Sequence, residues 1–229
     1  MGSKDRSGRG GRGWCLGALT LILAAGCASP SLLAPRSAIT IESADIIEVT
    51  DTTLALRMGV LASQSSIWRA GLDTIRANGF RVLVATPEQV PGLVAGMETY
   101  RARHFGEVIP IRDRWGAIVG AVVTVDVPRL ERLYRLTGLP DEMLDLDIDR
   151  ILIHEIYGHV VPLSQTRTIP GGCPDPKPGA PAETSCAIRR ENRIREELGL
   201  EPRVTYDLRG LSIGRFLYSA RGPVAAGRE

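Results

Sequence analysis

Two histidines and a glutamate that could bind a metal and move a proton lie within six positions, in the run HEIYGH at 154–159. Imidazole nitrogens are common zinc ligands, and zinc activates bound water for hydrolysis. In the H-E-x-x-H motif, two histidines at i and i+4 on one helix face hold zinc, and the glutamate is the general base. These residue types therefore predict metal-assisted hydrolysis, with His154 and His159 as ligands and Glu155 as the base.

The spacing of the two histidines is one residue too long for a regular helix. At about 100° per residue, positions i and i+5 lie about 140° apart around the axis. A one-residue π-bulge would restore their convergence, and Gly158 gives the backbone freedom for it. Two alternatives stay open: the histidines are incidental, or Glu155 and His159, at i and i+4, form the metal pair without His154.

A third protein ligand is expected, because catalytic zinc keeps three protein ligands and one open position. The helix predicted over 186–198 carries Ala187, Glu191, Ile194 and Leu198 on one stripe of 3.6-residue period. Glu191 is the acid on that inward stripe, and a buried carboxylate needs a cation or a metal. We weigh it as a zinc ligand against an ion pair with Arg195 at i+4.

Two stretches of the chain resemble known peptidases. HEIYGH resembles the H-E-x-x-x-H signature of the dipeptidyl-peptidase III family, zinc peptidases whose third ligand is a glutamate on a following helix. The tail ENRIREELGLEPRVTY, residues 191–206, resembles small metallopeptidase domains of bacterial effectors and toxins. The resemblance spans about residues 150–207 and implies a gluzincin-like site with one Zn²⁺ on His154, His159 and Glu191.

The same tail offers candidates for the remaining roles of such a site. A donor that stabilises the tetrahedral oxyanion is expected, and Tyr206 is the first candidate, with Arg203 second. Asn192 and Arg195 are candidates for contacts that support the ligands. His104 falls in no pattern and is interpreted as a surface or packing residue.

The predicted elements that position these residues belong to the α+β class and form a zincin-like fold. A mixed sheet comes first, followed by an active-site helix and a second ligand-bearing helix. The acidic start of the active-site helix, residues 141–149, is interpreted as a solvated helix terminus rather than a calcium site. Strands are predicted near 38–42, 54–61, 80–84, 107–112 and 116–126, and helices near 65–78, 90–103, 128–136, 143–160 (ending at Pro162) and 186–198.

The N-terminus has the pattern of an export signal. A basic segment, 1–13, precedes twelve apolar residues, 14–25, which are too few to span a bilayer. The sequence LAAGC at 23–27 resembles a bacterial lipobox, which implies a lipidated Cys27 and a membrane anchor in the cell envelope, with the outer membrane preferred. Cleavage after Ala28, giving a periplasmic or secreted protein, is the alternative. The predicted organisation is signal peptide 1–26, linker 27–36 and one domain, 37–229.

The cysteines agree with export. Of the four, Cys15 leaves with the signal and Cys27 carries lipid, which leaves Cys173 and Cys186. One even pair in an oxidising compartment predicts a disulfide, with two free thiols as the alternative.

Charge and composition exclude other classes. The formal net charge is +2; residues 1–26 carry four basic residues and one acidic residue, so +2 less +3 leaves −1 for the rest. A body of this charge with 5% aromatic residues is not expected to bind nucleic acid.

The sequence thus predicts an exported, lipid-anchored zinc metallopeptidase acting on a peptide or protein. The alternative is a catalytically inactive envelope lipoprotein, or a zinc-stabilised binding module of the same fold. The fourth coordination position separates the two, because an enzyme keeps it open for water.

Overall fold

The computed structural model describes residues 45–95, 104–168, 181, 184–205 and 211–215. The chain divides into two compact units, Met1–Pro35 and Arg36–Glu229, and every described residue belongs to the second. The expected signal peptide, Cys27, the strand near 38–42, Cys173 and Tyr206 lie outside the described residues.

A four-stranded mixed sheet organises the described part of the chain, in the order β1-β2-β4-β3. Its strands are β1 (Ile47–Val49), β2 (Arg81–Ala85), β3 (Gly106–Arg112) and β4 (Ile118–Val125). The strands β1, β2 and β4 run parallel, and β3 runs antiparallel to β4. Because β4 pairs on both sides and is buried along almost all its length, its apolar run is central, as the sequence predicts.

The first two helices precede β2. Residues 54–61, predicted as a strand, belong instead to α1 (Thr52–Gln64). Asp51 caps this helix by accepting the backbone N–H of Leu54, and Leu54, Met58 and Leu61 form its buried stripe. The helix predicted near 65–78 is confirmed as α2 (Ser66–Ala77), which Ser65 caps.

The short helix α3 (Pro91–Val94) lies between β2 and β3. After β4 come α4 (Val127–Thr137), α5 (Asp141–Leu152), a π-helix (Ile153–Val160), α6 (Val161–Thr166) and α7 (Cys186–Glu197). The helices predicted near 128–136 and 186–198 are confirmed as α4 and α7. The prediction that Pro162 ends the active-site helix is wrong. Pro162 lies in α6, which continues the π-helix directly, so the chain stays helical past this residue.

Each face of the sheet covers a separate group of buried apolar side chains. The larger group joins Val82, Ala121 and Val123 to side chains of α1, α2, α4, α5 and the π-helix. The smaller group, on the other face, includes Leu83 and Val122 with the α3 segment. The histidine-bearing helix therefore lies in the main core, and its apolar side chains Ile153, Ile156 and Val160 are buried there.

Two acids of α5 are buried rather than solvated, which corrects the interpretation of its acidic start. Asp147 is fully buried and accepts hydrogen bonds from Tyr134 Oη at 2.7 Å, Arg150 Nη1 at 2.9 Å and the backbone N–H of Ser212 at 2.7 Å. Asp149 pairs with the Arg57 guanidinium. The acidic pattern thus supplies internal ion pairs as well as a favourable helix terminus.

The C-terminal end of α7 is tied to the start of α2. The Glu197 carboxylate accepts the backbone N–H of Ser66 at 2.8 Å and hydrogen bonds from the hydroxyls of Ser65 and Ser66. Those two hydroxyls, with the backbone N–H groups of Ser66 and Ile67, lower the pKa of Glu197 to about 2. This contact fixes α7, which carries Glu191, against the N-terminal helices.

The α+β class is thus established. None of the helices in the described part of the chain is long and apolar enough to cross a membrane.

Candidate metal centre

The helix carrying HEIYGH is wound as a π-helix. Ile153–Val160 continues α5 and passes directly into α6, and the backbone N–H of Val161 donates to the carbonyl of Ile156, five residues back. This i→i+5 hydrogen bond defines the π-helix, which is uncommon and concentrates at functional sites. The predicted distortion is therefore confirmed, and it extends over eight residues rather than one.

The π-helical winding brings the two histidine rings together. His154 Nε2 and His159 Nε2 lie 3.3 Å apart, and the ring planes stand at 82° to each other. Two nitrogen ligands of one tetrahedral zinc ion, each about 2.05 Å from the metal, are about 3.3 Å apart. The histidine pair therefore fits two adjacent positions of one zinc ion.

A complete metal-binding group is not formed by the described side chains alone. Within residues 45–95, 104–168, 181, 184–205 and 211–215, no three or more His, Cys, Asp or Glu side chains are arranged to hold a metal ion. The predicted ligand Glu191 does contact the pair, but at another atom. Its Oε2 lies 2.9 Å from His154 Nδ1, which is the ring nitrogen that does not face His159.

Glu191 lies at the centre of a buried charge cluster. Its side chain has no exposed surface, its Oε1 accepts from Arg195 Nη1 at 2.8 Å, and its Oε2 accepts from Arg203 Nη1 at 3.1 Å. Burial raises the pKa of Glu191, but the charge of Arg203, the hydrogen bond from His154 and the charge of Arg195 outweigh it and lower this pKa to about 2. The ion pair with Arg195 is confirmed, whereas the role of Glu191 as a ligand stays a prediction.

Asn192 explains how Arg203 reaches this cluster. Its side chain accepts the backbone N–H of Arg203 at 2.7 Å and donates to the Arg203 carbonyl at 3.0 Å. Arg203 also donates through Nε to the Thr205 carbonyl. These contacts hold its guanidinium on the Nδ1 side of His154, so Arg203 is not placed as an oxyanion donor in this arrangement.

Glu155 lies against the beginning of β3. A Cβ added to Gly106 would lie only 2.7 Å from Glu155 Oε1 and 2.8 Å from Glu155 Cγ. The carboxylate is mostly buried and can pack there because Gly106 has no side chain. His159 contacts His154, and the alternative metal pair of Glu155 with His159 stays a prediction.

Gly158 and Arg190 are linked by a contact that the sequence analysis missed. Pro162 lacks the N–H that would bond to the carbonyl four residues back, at Gly158. Arg190 Nη1 donates to that carbonyl at 3.0 Å instead. Gly158 also allows close packing, because an added Cβ would lie 3.1 Å from the Cβ of Ala187. A proline four residues after a glycine in a helix was the available signal.

Tyr157, inside the motif, and His104 make contacts away from the histidine pair. Tyr157 packs on α2, since an added Cβ on Gly71 would lie 2.8 Å from its ring. The backbone carbonyl of His104 accepts from Arg129 Nη1 at 3.1 Å. Cys186 is disulfide-bonded, and Cys173 as its partner stays a prediction.

Comparison with known proteins gives no further assignment: no protein-family model, curated protein or solved structure matches the chain.

Proposed function

We propose that the protein is a zinc-dependent metallopeptidase of zincin-like fold with His154 and His159 as metal ligands. The 3.3 Å separation of the two Nε2 atoms carries the proposal. A regular helix would direct these rings apart, whereas the π-helix brings the two Nε2 atoms close enough to share one ion. Zinc would act there as a Lewis acid and lower the pKa of bound water toward about 7.

Glu155 is proposed as the general base. It adjoins His154 in the chain, and its carboxylate is held against β3 in a mostly buried position. A carboxylate so placed can accept a proton from the attacking water and return it to the leaving amine of a peptide. Among the described residues, Glu155 therefore supplies the proton transfer that the histidine pair cannot.

The edge of the sheet supports a peptide substrate. Within the described sheet, β3 pairs with β4 on one side only, and its first residue, Gly106, contacts Glu155. An extended peptide can add to an open strand edge through backbone hydrogen bonds. A peptide bound along β3 would therefore pass beside the proposed base.

Metal analysis and proteolysis assays test this function. The purified protein should bind about one Zn²⁺ per chain and cleave casein or a peptide library. Glu155→Gln should keep the zinc and lose cleavage, and His154→Ala should lose the zinc. His104→Ala is the matched histidine control and should retain both.

The same experiment distinguishes the alternative. Bound zinc without cleavage by the wild-type protein would favour the zinc-stabilised binding module. No bound zinc would overturn the metal site itself.

We also propose that the protein is exported and anchored through Cys27. The disulfide at Cys186 supports export, because disulfides persist in oxidising compartments. Metabolic labelling with a radioactive fatty acid should mark the wild-type protein and not Cys27→Ser. Equal labelling of the two would overturn the proposed anchor.

A further inference from the structure

We infer that Glu191 is a positioning residue for His154 rather than a metal ligand, and that Arg195 and Arg203 hold it in that role. The inference rests on the proposed function, because it assumes that His154 binds the metal. It differs from the sequence prediction, in which Glu191 is the third ligand, and it leaves the third protein ligand unassigned among the described residues.

The hydrogen bonds of the Glu191 carboxylate carry the argument. Oε1 accepts from Arg195, and Oε2 accepts from Arg203 and contacts His154 Nδ1, all within 2.8–3.1 Å. Both oxygens are thus engaged, and the carboxylate is fully buried. To bind a metal at the Nε2 side, Glu191 would have to leave the buried Arg195 and the partly buried Arg203 without this acceptor, which is costly for a buried donor.

The contact at Nδ1 has a chemical consequence for His154. The Glu191 carboxylate can only accept, whereas Arg203 Nη1, which can only donate, lies 3.4 Å from the same nitrogen. Because the Glu191 contact is the shorter of the two, at 2.9 Å, we assign the proton to Nδ1, which makes Nε2 the unprotonated nitrogen. Nε2 is the atom that faces His159. Carboxylate–histidine–metal arrangements of this kind fix the ring orientation and raise the basicity of the ligand. The contact therefore prepares the Nε2 atom that the metal needs.

The two arginines hold the Glu191 carboxylate in place. Arg195 lies one helical turn along α7, is fully buried, and also donates through Nε to the Glu201 carbonyl at 2.7 Å. Arg203 comes from the following segment and is fixed by Asn192. Each oxygen of the carboxylate thus accepts from one arginine, while Oε2 also contacts Nδ1.

Titration with Co²⁺ alone, followed by its visible absorption, tests the inference. Glu191→Gln keeps an acceptor oxygen, so it should bind Co²⁺ with the same band positions as the wild-type protein. Its affinity should be about 10–100-fold weaker, as for other outer contacts of metal-bound histidines. Arg203→Met should behave likewise, and Glu196→Gln, on the exposed face of α7, should match the wild type.

A second readout needs no metal. In the metal-free wild-type protein, long-range ¹H–¹⁵N correlation spectra should show His154 protonated at Nδ1. Glu191→Gln should weaken the preference of the proton for Nδ1. A loss of packing alone would not shift the proton between the two ring nitrogens. If this variant does not fold by circular dichroism, Arg203→Met gives the same comparison.

The outcomes separate the two proposals. If the wild-type protein does not bind Co²⁺, the proposed function fails, and the inference fails with it. If the wild-type protein binds Co²⁺ and folded Glu191→Gln shows shifted bands or no binding, Glu191 is a ligand and only the inference fails. A His154 ring protonated at Nε2 in the wild-type protein would also overturn it.

Discussion

Replacement of Gly106 by alanine tests whether the carboxylate of Glu155 lies against β3. The added Cβ would lie 2.7 Å from Glu155 Oε1, 2.8 Å from Glu155 Cγ and 2.6 Å from Ile151 Cγ2. Ordinary van der Waals contacts begin at 3.4 Å. To reach that distance from 2.6–2.8 Å, the three atoms must move away from the new Cβ by 0.6–0.8 Å. Both neighbours lie on one continuous helix that is buried in the main core, so they cannot move freely.

The expected effect is on both stability and catalysis. Overpacking of this kind destabilises a protein by about 1–3 kcal/mol, and each kcal/mol lowers the melting temperature of a chain of this size by about 2–4 °C. A displacement near 1 Å of a catalytic group costs about a hundredfold in rate. We therefore expect Gly106→Ala to lower kcat/KM by about ten- to a hundredfold.

Thermal unfolding and peptide cleavage, measured on the same preparations, check this prediction. Gly59→Ala in α1 is the matched control, because an added Cβ there meets nothing within 4 Å. It should leave cleavage unchanged and stabilise the helix by about 0.5–1 kcal/mol. A Gly106→Ala protein that melts and cleaves like the wild type would refute the placement of Glu155. If the wild-type protein cleaves no peptide, the change in melting temperature still tests the packing of Glu155 against Gly106.

Three further substitutions test the contacts of α7. Arg190→Met should lower the free energy of unfolding by about 1–3 kcal/mol, because it leaves the buried Gly158 carbonyl without this donor. Denaturant unfolding measures this loss, and Arg193→Met, at an exposed position of α7, should not show it. Gly158→Ala should destabilise by about 1 kcal/mol or more, because its methyl group presses on Ala187; unchanged stability would contradict the close packing. Glu197→Gln should destabilise at pH 7, and the difference from the wild type should shrink as the pH falls. The lowered pKa of Glu197 places this stabilisation above about pH 4.5 and removes it toward about pH 2, so denaturation midpoints that differ equally at pH 7 and pH 3 would be inconsistent with it.

The sequence is informative where a periodic pattern and a spacing act together. The apolar residues around HEIYGH indicate a buried helix, and the i, i+5 spacing requires a π distortion if the histidines are to meet. The stripe on α7 correctly places Glu191 on the buried face. Central burial of β4 follows in the same way from its uninterrupted apolar run.

Side-chain partners from distant segments could not be derived in this way. Periodicity shows that Glu191 is buried, but not which nitrogen of His154 it reaches, because that depends on where Arg203 lies. Gly106 signals a close approach without identifying Glu155 as the neighbour. The apolar residues of 54–61 do not follow one clear period, so the segment is predicted as a strand. The helix there begins at a local contact, in which the Asp51 side chain accepts the backbone N–H of Leu54.

Adjacent residues of α7 determine the geometry of the histidine pair from two directions. Arg190 binds the backbone of the π-helix at Gly158, and Glu191 binds the ring of His154. One contact stabilises the winding that brings His159 close, and the other fixes the ring that it meets. The winding and the buried carboxylate at Nδ1 thus act on the same two rings, and their occurrence together supports the proposal that this helix pair holds a metal ion.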